Sequence, residues 1–227
     1  MRSKGELEEY AKKLKTRNTT EERLRFSIEA YEGCVPLEFW NIKKENVKHN
    51  TEVFKEIILK YCKKINVAHK RGYSLCLLGN NGVGKTYFIS YILTRAIKKG
   101  KTVYYTTLPE LEHNIKRGFD DREISRYLEM LLTSDFLAID EMGKEQRSKK
   151  AKTVATFMDT QVERILKKRF DDSAPVLLGT NLSTDDLVGV YGSSVASILR
   201  GKYQLAQLDG GDYRTVLARR MNEEMGF

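Results

Sequence analysis

The sequence contains little of what stabilises disulfide-bonded or zinc-binding domains. Three cysteines occur in 227 residues, and no two of them form a CxxC pair. The three histidines are scattered and share no ligand spacing with the cysteines. An odd set of this kind predicts neither a disulfide framework nor a zinc site, so we expect packed or surface thiols.

Long apolar runs and prolines are also scarce. No apolar stretch approaches the ~20 residues that a membrane span needs, and the basic residues 1–18 contain no apolar segment of the signal-peptide kind. Only three prolines and no low-complexity run are present, which argues against long disordered linkers. We therefore expect a cytoplasmic chain with no membrane partner.

Positive charge is in excess, with a formal net charge of +9. A basic balance of this size favours a polyanionic partner, and nucleic acid is the commonest one. A lysine-rich protein without such a partner has the same composition. Charge alone therefore leaves both interpretations open.

The chain length allows one α/β core with a small appendage. Apolar residues at helical spacing predict helices within residues 1–30, which we interpret as a partner-binding segment. Residues 31–72 form a lead-in segment, and Thr51–Val67 within it has the apolar stripe of an amphipathic helix. Residues 73–227 are expected to form the core.

Strand-like and helix-like segments alternate within that core. The apolar runs that predict strands are residues 74–79, 101–107, 135–140, 175–181 and 204–210. The helical stretches are residues 85–99, two segments within 109–133, 151–169 and about 213–224. Buried strands that alternate with helices predict an α/β fold, with a parallel sheet covered by helices on both faces.

A glycine-rich stretch between the first strand and its helix fits the pattern GxxxxGK[ST]. Its residues are Gly79, Asn80, Asn81, Gly82, Val83, Gly84, Lys85 and Thr86. In such a loop, backbone N–H groups and the helix N-terminus surround phosphate oxygens. We expect Lys85 to reach the β- and γ-phosphates of ATP and the Thr86 hydroxyl to bind Mg²⁺. The alternative is a glycine-rich turn with a chance lysine.

Two acidic residues end another predicted strand, and an asparagine ends a third. Asp140 is expected to hold Mg²⁺ through water, and Glu141 to orient or deprotonate the attacking water. A cap on the following helix is the alternative role for the two acids. Asn181 would point into the cleft if its strand lies between the other two, while Ser183 reads as a helix cap.

Three motifs in this order resemble those of a known family: GNNGVGKT, FLAIDEMGKE and LLGTNLSTDDL. They are similar to the AAA+ ATPases of the DnaC/DnaI helicase-loader group and the related transposition ATPase IstB. The lead-in segment, with Pro36 and Trp40, resembles the one that this group carries before its ATPase core. The likeness covers roughly residues 26–220. The first two motifs are common to nucleoside triphosphatases, whereas the Gly-Lys-Glu that follows the acidic strand and the Thr-Asn-Leu-Ser continuation are more specific to this group.

The resemblance implies an AAA+ P-loop core, with a five-stranded parallel sheet between helices and little or no lid. It also implies ATP bound between neighbouring subunits of a spiral or ring. Family members bind single-stranded DNA partly through a helical insertion, which here would be Leu108–Thr133. Its candidate DNA contacts are Lys116, Arg117, Arg122, Arg126 and Tyr127. A solvated helix pair of mixed charge is the alternative. The basic run 144–152 is a further candidate contact, either with DNA or with a neighbouring subunit.

One position departs from the family pattern. The resemblance places an arginine finger where this sequence has Ile198. Arg200 follows two positions later and is the candidate to replace it, while Arg214 is a candidate nucleotide sensor from the same subunit. A surface salt bridge is the alternative role for either arginine.

Three functions are compatible with these residues. The first is a loader of a DnaB-type hexameric replicative helicase onto single-stranded DNA, with residues 1–30 binding the helicase. The second is an IstB-type transposition ATPase that binds duplex DNA and recruits a transposase. The third is an ATP-switched adaptor with little turnover. Residues 1–30 carry no helix-turn-helix or zinc pattern, which favours the loader.

Overall fold

Helices and strands follow one another in the order that the apolar pattern predicts. A computed structural model describes residues 35–39, 42–47, 50–116, 121–143, 152–213, 215, 219, 222–223 and 225–226. The predicted helices within residues 1–30, Trp40 and most of the predicted helix 213–224 lie outside these described residues. The expectation of little or no lid therefore stays a prediction.

The core strands and helices alternate along the chain. The strands are β1 (Ser74–Leu78), β2 (Val103–Thr107), β3 (Phe136–Met142), β4 (Val176–Thr180) and β5 (Tyr203–Gln207). The helices are α1 (Thr51–Val53), α2 (Leu59–Lys63), α3 (Ile65–Arg71), α4 (Lys85–Lys98), α5 (Leu108–Lys116), α6 (Asp121–Thr133), α7 (Lys152–Asp171) and α8 (Thr184–Lys202). Short 3₁₀ turns at Leu37–Phe39 and Lys44–Asn46 precede them.

The predicted lead-in helix is present and longer than expected. A π-helical turn, Phe54–Ile58, joins α1 to α2, and α3 continues the helical path to Arg71. Phe54 and Ile58 are buried, as the apolar stripe predicts. The helical stretch ends at Gly72, whose φ of 66° is left-handed.

Within the described residues, the five strands form one parallel sheet in the order β2-β3-β4-β1-β5. All residues of β1 and β4 are buried, which explains why these strands read as continuous apolar runs. The predicted α/β fold is confirmed. Because β4 lies between β3 and β1, the carboxyl ends of these three strands meet at one edge.

Two apolar clusters cover the two faces of the sheet. Alternate residues of β3 divide between them: Leu137 and Ile139 pack with α5–α8, and Phe136 and Ala138 pack with α4 and the lead-in helices. Cys76 lies in the first cluster, where burial raises the pKa of its thiol to about 12. It is the packed thiol that the sequence predicts.

A fully buried arginine ties three elements of the first face together. The guanidinium of Arg169, near the end of α7, donates hydrogen bonds of 2.8–3.1 Å to four carbonyl oxygens. These carbonyls belong to Leu131 and Leu132 of α6, Ser134 after α6 and Pro175 before β4. Burial lowers the pKa of Arg169 to about 10, so the side chain stays charged at neutral pH.

Candidate nucleotide-binding site

The glycine-rich loop lies between β1 and α4, at the edge where β3 and β4 also end. Gly79 has a φ of 146° and Gly82 one of 75°, so other residues would be strained at both positions. A side-chain carbon at Gly82 would also collide with the Asp212 carboxylate. The loop therefore needs glycine for its backbone conformation and for the close approach of a second segment.

That second segment, residues 208–213, follows β5 and lies against the loop. The Leu208 N–H donates to the Leu78 carbonyl at 2.8 Å, and the Tyr213 N–H donates to the Gly82 carbonyl at 3.1 Å. The chain after β5 is thus hydrogen-bonded to the end of β1 and to the phosphate loop itself. Arg214 follows immediately but lies outside the described residues, so its sensor role stays a prediction.

Asn50, which the sequence analysis missed, joins the two segments. Its amide nitrogen donates to the Val83 carbonyl at 3.1 Å and to the Asp209 carbonyl at 3.0 Å. Its amide oxygen accepts from the Asp209 N–H at 3.0 Å. Before a helix, an asparagine reads as a cap, yet Asn50 makes no side-chain cap hydrogen bond. No local pattern reveals partners this distant in the sequence.

Lys85 is held at the mouth of the loop, with only 8% of its surface exposed. Its ammonium donates to the carbonyls of Gly79 and Asn80, both at 2.7 Å, and to the Asn181 side-chain oxygen at 2.6 Å. A buried ammonium that donates to neutral oxygens is well placed to receive an anion. The geometry suits the phosphate contact expected of Lys85.

Asn181 reaches the loop because β4 lies between β3 and β1. Its amide oxygen accepts from Lys85, and its amide nitrogen donates to the Asn81 side-chain oxygen at 2.9 Å. Ser183 caps α8 by accepting from the Asp186 N–H at 3.1 Å, within a full capping box. The sequence is compatible with two roles for residues 181–183, a contact in the cleft and a helix start. The structure shows both, since Asn181 contacts Lys85 and Ser183 caps α8.

Asp140 lies at the base of the cleft and is 1% exposed. Its Oδ2 accepts from the Thr86 hydroxyl at 2.6 Å, and its Oδ1 accepts from the Glu141 N–H at 2.8 Å. On β4, the neighbouring Gly179 leaves the space that the carboxylate occupies, since a Cβ there would collide with Oδ1. The strand order thus brings Thr86, in the first turn of α4, close to Asp140 at the end of β3, as expected of a shared metal site.

The donor chemistry at Thr86 and Asp140 fits Mg²⁺. Both supply oxygen atoms, and Mg²⁺ is usually held by one or two protein oxygens together with phosphates and waters. No group of three or more His, Cys, Asp or Glu side chains able to hold a metal occurs in the described residues. A nucleotide-bound Mg²⁺ does not need such a group, because phosphates and waters supply its other ligands. Thr86 and Asp140 are therefore compatible with a Mg²⁺ site.

Glu141 has a strained backbone. Its φ is 59°, which is unusual for a residue other than glycine. The pairing between β3 and β4 shifts register between Ile139 and Met142, so Glu141 lies in a β-bulge. Bulges and left-handed residues are enriched at active sites, where they redirect a side chain out of the strand alternation.

The structure separates the two arginine-finger positions. Ile198 is 8% exposed and packs in the first core cluster, whereas Arg200 is exposed. Helix α8 is interrupted at Gly192, whose φ of 81° and ψ of 175° are not helical. An arginine at position 198 would be buried here, which leaves Arg200 as the surface candidate.

One expectation for the helical insertion is wrong. Helices α5 and α6 form within Leu108–Thr133, but Tyr127 is 5% exposed and packs edge-to-face on Tyr104, with ring centres 6.3 Å apart. Its ring belongs to the core, so it cannot stack on a nucleobase. Arg117, the run 144–151 and the side chains of Lys116, Arg122, Arg126 and Lys152 lie outside the described part of the chain.

Comparisons with known proteins find related sequences and related folds. Residues 59–198 match the model of a family described as IstB-like ATP binding protein. The chain is 26% identical to the replicative helicase loader DnaI of Bacillus subtilis (strain 168) over 52% of this chain and 36% of DnaI. It is 33% identical to an insertion sequence IS21-like putative ATP-binding protein of Bacteroides fragilis (strain YCH46), over 32% of this chain and 37% of that protein.

The fold also matches solved structures. A crystal structure of the DnaC helicase loader superposes with a TM-score of 0.64 and 19% identity, over 77% of this chain and 100% of that one. The predicted fold, a five-stranded parallel sheet between helices, is thereby confirmed. The chain spans less than two thirds of the length of the curated relatives that it matches. No helix in the described residues is long and apolar enough to cross a membrane.

Proposed function

Because the chain belongs to the IstB-like ATP-binding family, we propose that it is an ATPase that loads a DnaB-type hexameric helicase onto single-stranded DNA. One observation carries the ATPase part. Lys85 with Asn181, and Thr86 with Asp140, form two close pairs at the ends of three parallel strands. Each residue is of the type that phosphoryl transfer requires at its position.

ATP binding begins at the phosphate loop. The phosphates lie against the N-terminus of α4, where the N–H groups of the loop and helix face them. Lys85 exchanges its carbonyl acceptors for phosphate oxygens and remains next to Asn181. Asn181 is then positioned to donate to the γ-phosphate or to the attacking water.

Thr86 and Asp140 would hold Mg²⁺, which neutralises the charge that develops on the phosphates. Glu141, directed out of the strand by its bulge, orients the water and accepts its proton. The attacking oxygen forms its bond to the γ-phosphorus as the bond to the leaving ADP oxygen breaks, which gives ADP and phosphate.

Arg200 completes the site from a neighbouring subunit. Arg200 is exposed and precedes β5, whose first residue pairs with Ser74 at the start of β1, so it lies towards the opposite edge of the sheet from its own phosphate loop. Arginine fingers act where two subunits meet. Self-association into a spiral or ring places each Arg200 against the next ATP, while Arg214 contacts the nucleotide of its own subunit. Turnover is slow in the isolated chain because the site is completed on assembly.

The loader role rests on the relatives and on charge. DnaI is named a replicative helicase loader, and the net charge of +9 suits a DNA partner. In this proposal residues 1–30 bind the helicase, residues 31–72 lead into the core, and residues 73–227 form the ATPase. The contacts of the helical insertion with single-stranded DNA involve its basic residues rather than Tyr127.

A second function is favoured by the likeness to the IS21-like ATP-binding protein. Its sequence identity to this chain is higher than that of DnaI, 33% against 26%, although the matched stretch is shorter. An ATPase of that kind binds duplex DNA and recruits a transposase. The third, an ATP-switched adaptor, predicts nucleotide binding without useful turnover. DNA preference and turnover therefore distinguish the three.

The test measures ATP turnover with single-stranded DNA, duplex DNA and no DNA, and a pull-down with a purified DnaB-type helicase. The loader predicts helicase capture that is lost when residues 1–30 are deleted, together with a preference for single-stranded DNA. Duplex preference without helicase capture would select the transposition ATPase. Tight ATP binding with no turnover under any condition would select the adaptor.

A further inference from the structure

We propose that Tyr105 of β2 is a positioning residue for the Asp140 carboxylate. Its phenol hydroxyl holds Asp140 Oδ2 in the orientation needed to bind the nucleotide's Mg²⁺. This inference rests on the proposed nucleotide site. The sequence offers no sign of it, because Tyr105 lies in an apolar strand and belongs to no nucleotide-binding motif.

The contact follows from strand register. Tyr105 pairs with Ala138 in the parallel β2–β3 ladder, two residues before Asp140. Two strand residues rise about 6.6 Å, comparable with the length of a tyrosine side chain. Ala138 presents only a methyl group on this face, and the Tyr105 hydroxyl donates to Asp140 Oδ2 at 3.3 Å.

The carboxylate is enclosed on both sides. Gly179 of β4 lies against Oδ1, and the Tyr105 hydroxyl meets Oδ2 from β2. Tyr105 is 8% exposed, so water does not easily replace its hydroxyl. A buried carboxylate that loses a donor loses both stabilisation and a fixed orientation.

The phenol acts as a donor at neutral pH. Burial raises the pKa of Tyr105 above its ordinary value, and the negative charge of Asp140 raises the pKa further. The hydroxyl therefore keeps its proton at neutral pH and donates a hydrogen bond to the carboxylate.

Tyr105 also differs in kind from the other two donors to this carboxylate. Thr86 is itself a candidate Mg²⁺ ligand, and the Glu141 N–H belongs to the strained bulge. Replacing either would change the nucleotide site directly. Removing the Tyr105 hydroxyl changes only the support of Asp140.

The experiment compares Tyr105→Phe with the wild-type 227-residue chain and with Tyr104→Phe as the matched control. Tyr104 is the adjacent residue on the opposite face, where its ring packs on Tyr127. The affinity for a fluorescent, non-hydrolysable ATP analogue is measured with Mg²⁺ and with EDTA. The ratio of the two affinities is the Mg²⁺ enhancement.

We expect Tyr105→Phe to bind the analogue in EDTA as tightly as the wild type does. Its Mg²⁺ enhancement should be about tenfold smaller, which is the lower end of the effect of removing a supporting hydrogen bond at a metal site. The Mg²⁺ concentration for half-maximal turnover rises in the same variant. Tyr104→Phe keeps the wild-type enhancement.

An unchanged enhancement in Tyr105→Phe would overturn the proposal, as would equal losses with Mg²⁺ and with EDTA, which would indicate a damaged pocket. A wild-type chain without any Mg²⁺ enhancement would overturn it too. A chain that hydrolyses no ATP, yet loses the enhancement in Tyr105→Phe, would contradict the proposed ATPase while supporting this role.

Discussion

The Lys85 ammonium and the Asn181 side-chain oxygen lie 2.6 Å apart, although 96 residues separate them in the sequence. Asn181 also holds Asn81, on the far side of the phosphate loop, through its amide nitrogen. One amide group therefore contacts both sides of the mouth of the loop, where we propose that it binds the γ-phosphate.

Asn181→Ala should lower ATP turnover more than ATP affinity. The variant removes a hydrogen-bonding group that we expect to act on the γ-phosphate or the attacking water, and loss of one such group costs about 10²-fold in turnover. Steady-state ATPase assays with a parallel nucleotide titration measure both quantities. Ser183→Ala is the control, because loss of that cap costs about 1 kcal/mol of stability and no turnover. Equal turnover in both variants would exclude Asn181 from the reaction.

Glu141→Gln should abolish most turnover and retain ATP. The amide keeps the shape of the side chain but cannot accept the proton of the water, and general-base catalysis is worth about 10²–10⁴-fold. Single-turnover hydrolysis of radiolabelled ATP gives the rate, and filter binding gives the retained nucleotide. Glu129→Gln makes the same change at an exposed site on α6 and should behave as the wild type. Wild-type turnover in Glu141→Gln would show that another group activates the water.

Arg200→Ala should lower turnover by about 10³-fold, the lower end for an arginine finger, with ATP binding unchanged. Because we place Arg200 across a subunit boundary, mixing this variant with Glu141→Gln should restore part of the activity. Mixed assemblies contain interfaces in which both residues are intact. Arg164→Ala, an exposed arginine on α7, serves as the control.

Mixing that restores nothing would mean that Arg200 does not act between subunits. If Arg200→Ala alone leaves turnover intact, the finger lies elsewhere.

Asn50→Asp should weaken ATP binding about tenfold and lower the free energy of unfolding by about 1–3 kcal/mol. The change preserves size and tolerance of the left-handed backbone at φ 51°, but it replaces the amide donor with a charge that faces the carbonyls of Val83 and Asp209. Nucleotide titration and urea denaturation measure the two effects. Asn66→Asp, at an exposed position of α3, controls for the added charge. Unchanged binding in Asn50→Asp would show that the Asn50 hydrogen bonds have no role in shaping the phosphate loop.

The local patterns predicted the parts of the site that are local in sequence. The phosphate loop and the acidic strand end each show their chemistry within a few residues, and a parallel sheet brings such strand ends to one edge. Asn50, Tyr105 and Gly179 escaped notice because each acts on a residue of another element. Only strand order and register bring those partners together.

Tyr127 was misread for a related reason. Its neighbours in the sequence are charged, which suggested a surface helix for DNA. Helix α6 nonetheless has an apolar face, and Tyr127, Met130 and Leu131 fill the core beneath it. Charge density along a helix does not say which of its aromatic residues points inward.

The buried Arg169 has a consequence for motion. Its four hydrogen bonds join the end of α6, the end of α7 and the chain before β4, so none of these can separate without leaving buried carbonyls unpaired. The three should exchange their amide hydrogens as one cooperative unit, at the rate set by global unfolding. The end of α6 at Leu131 and Leu132 is then fixed to the core. We expect any movement of the pair α5 and α6 to arise at the opposite end of α6, where that helix begins.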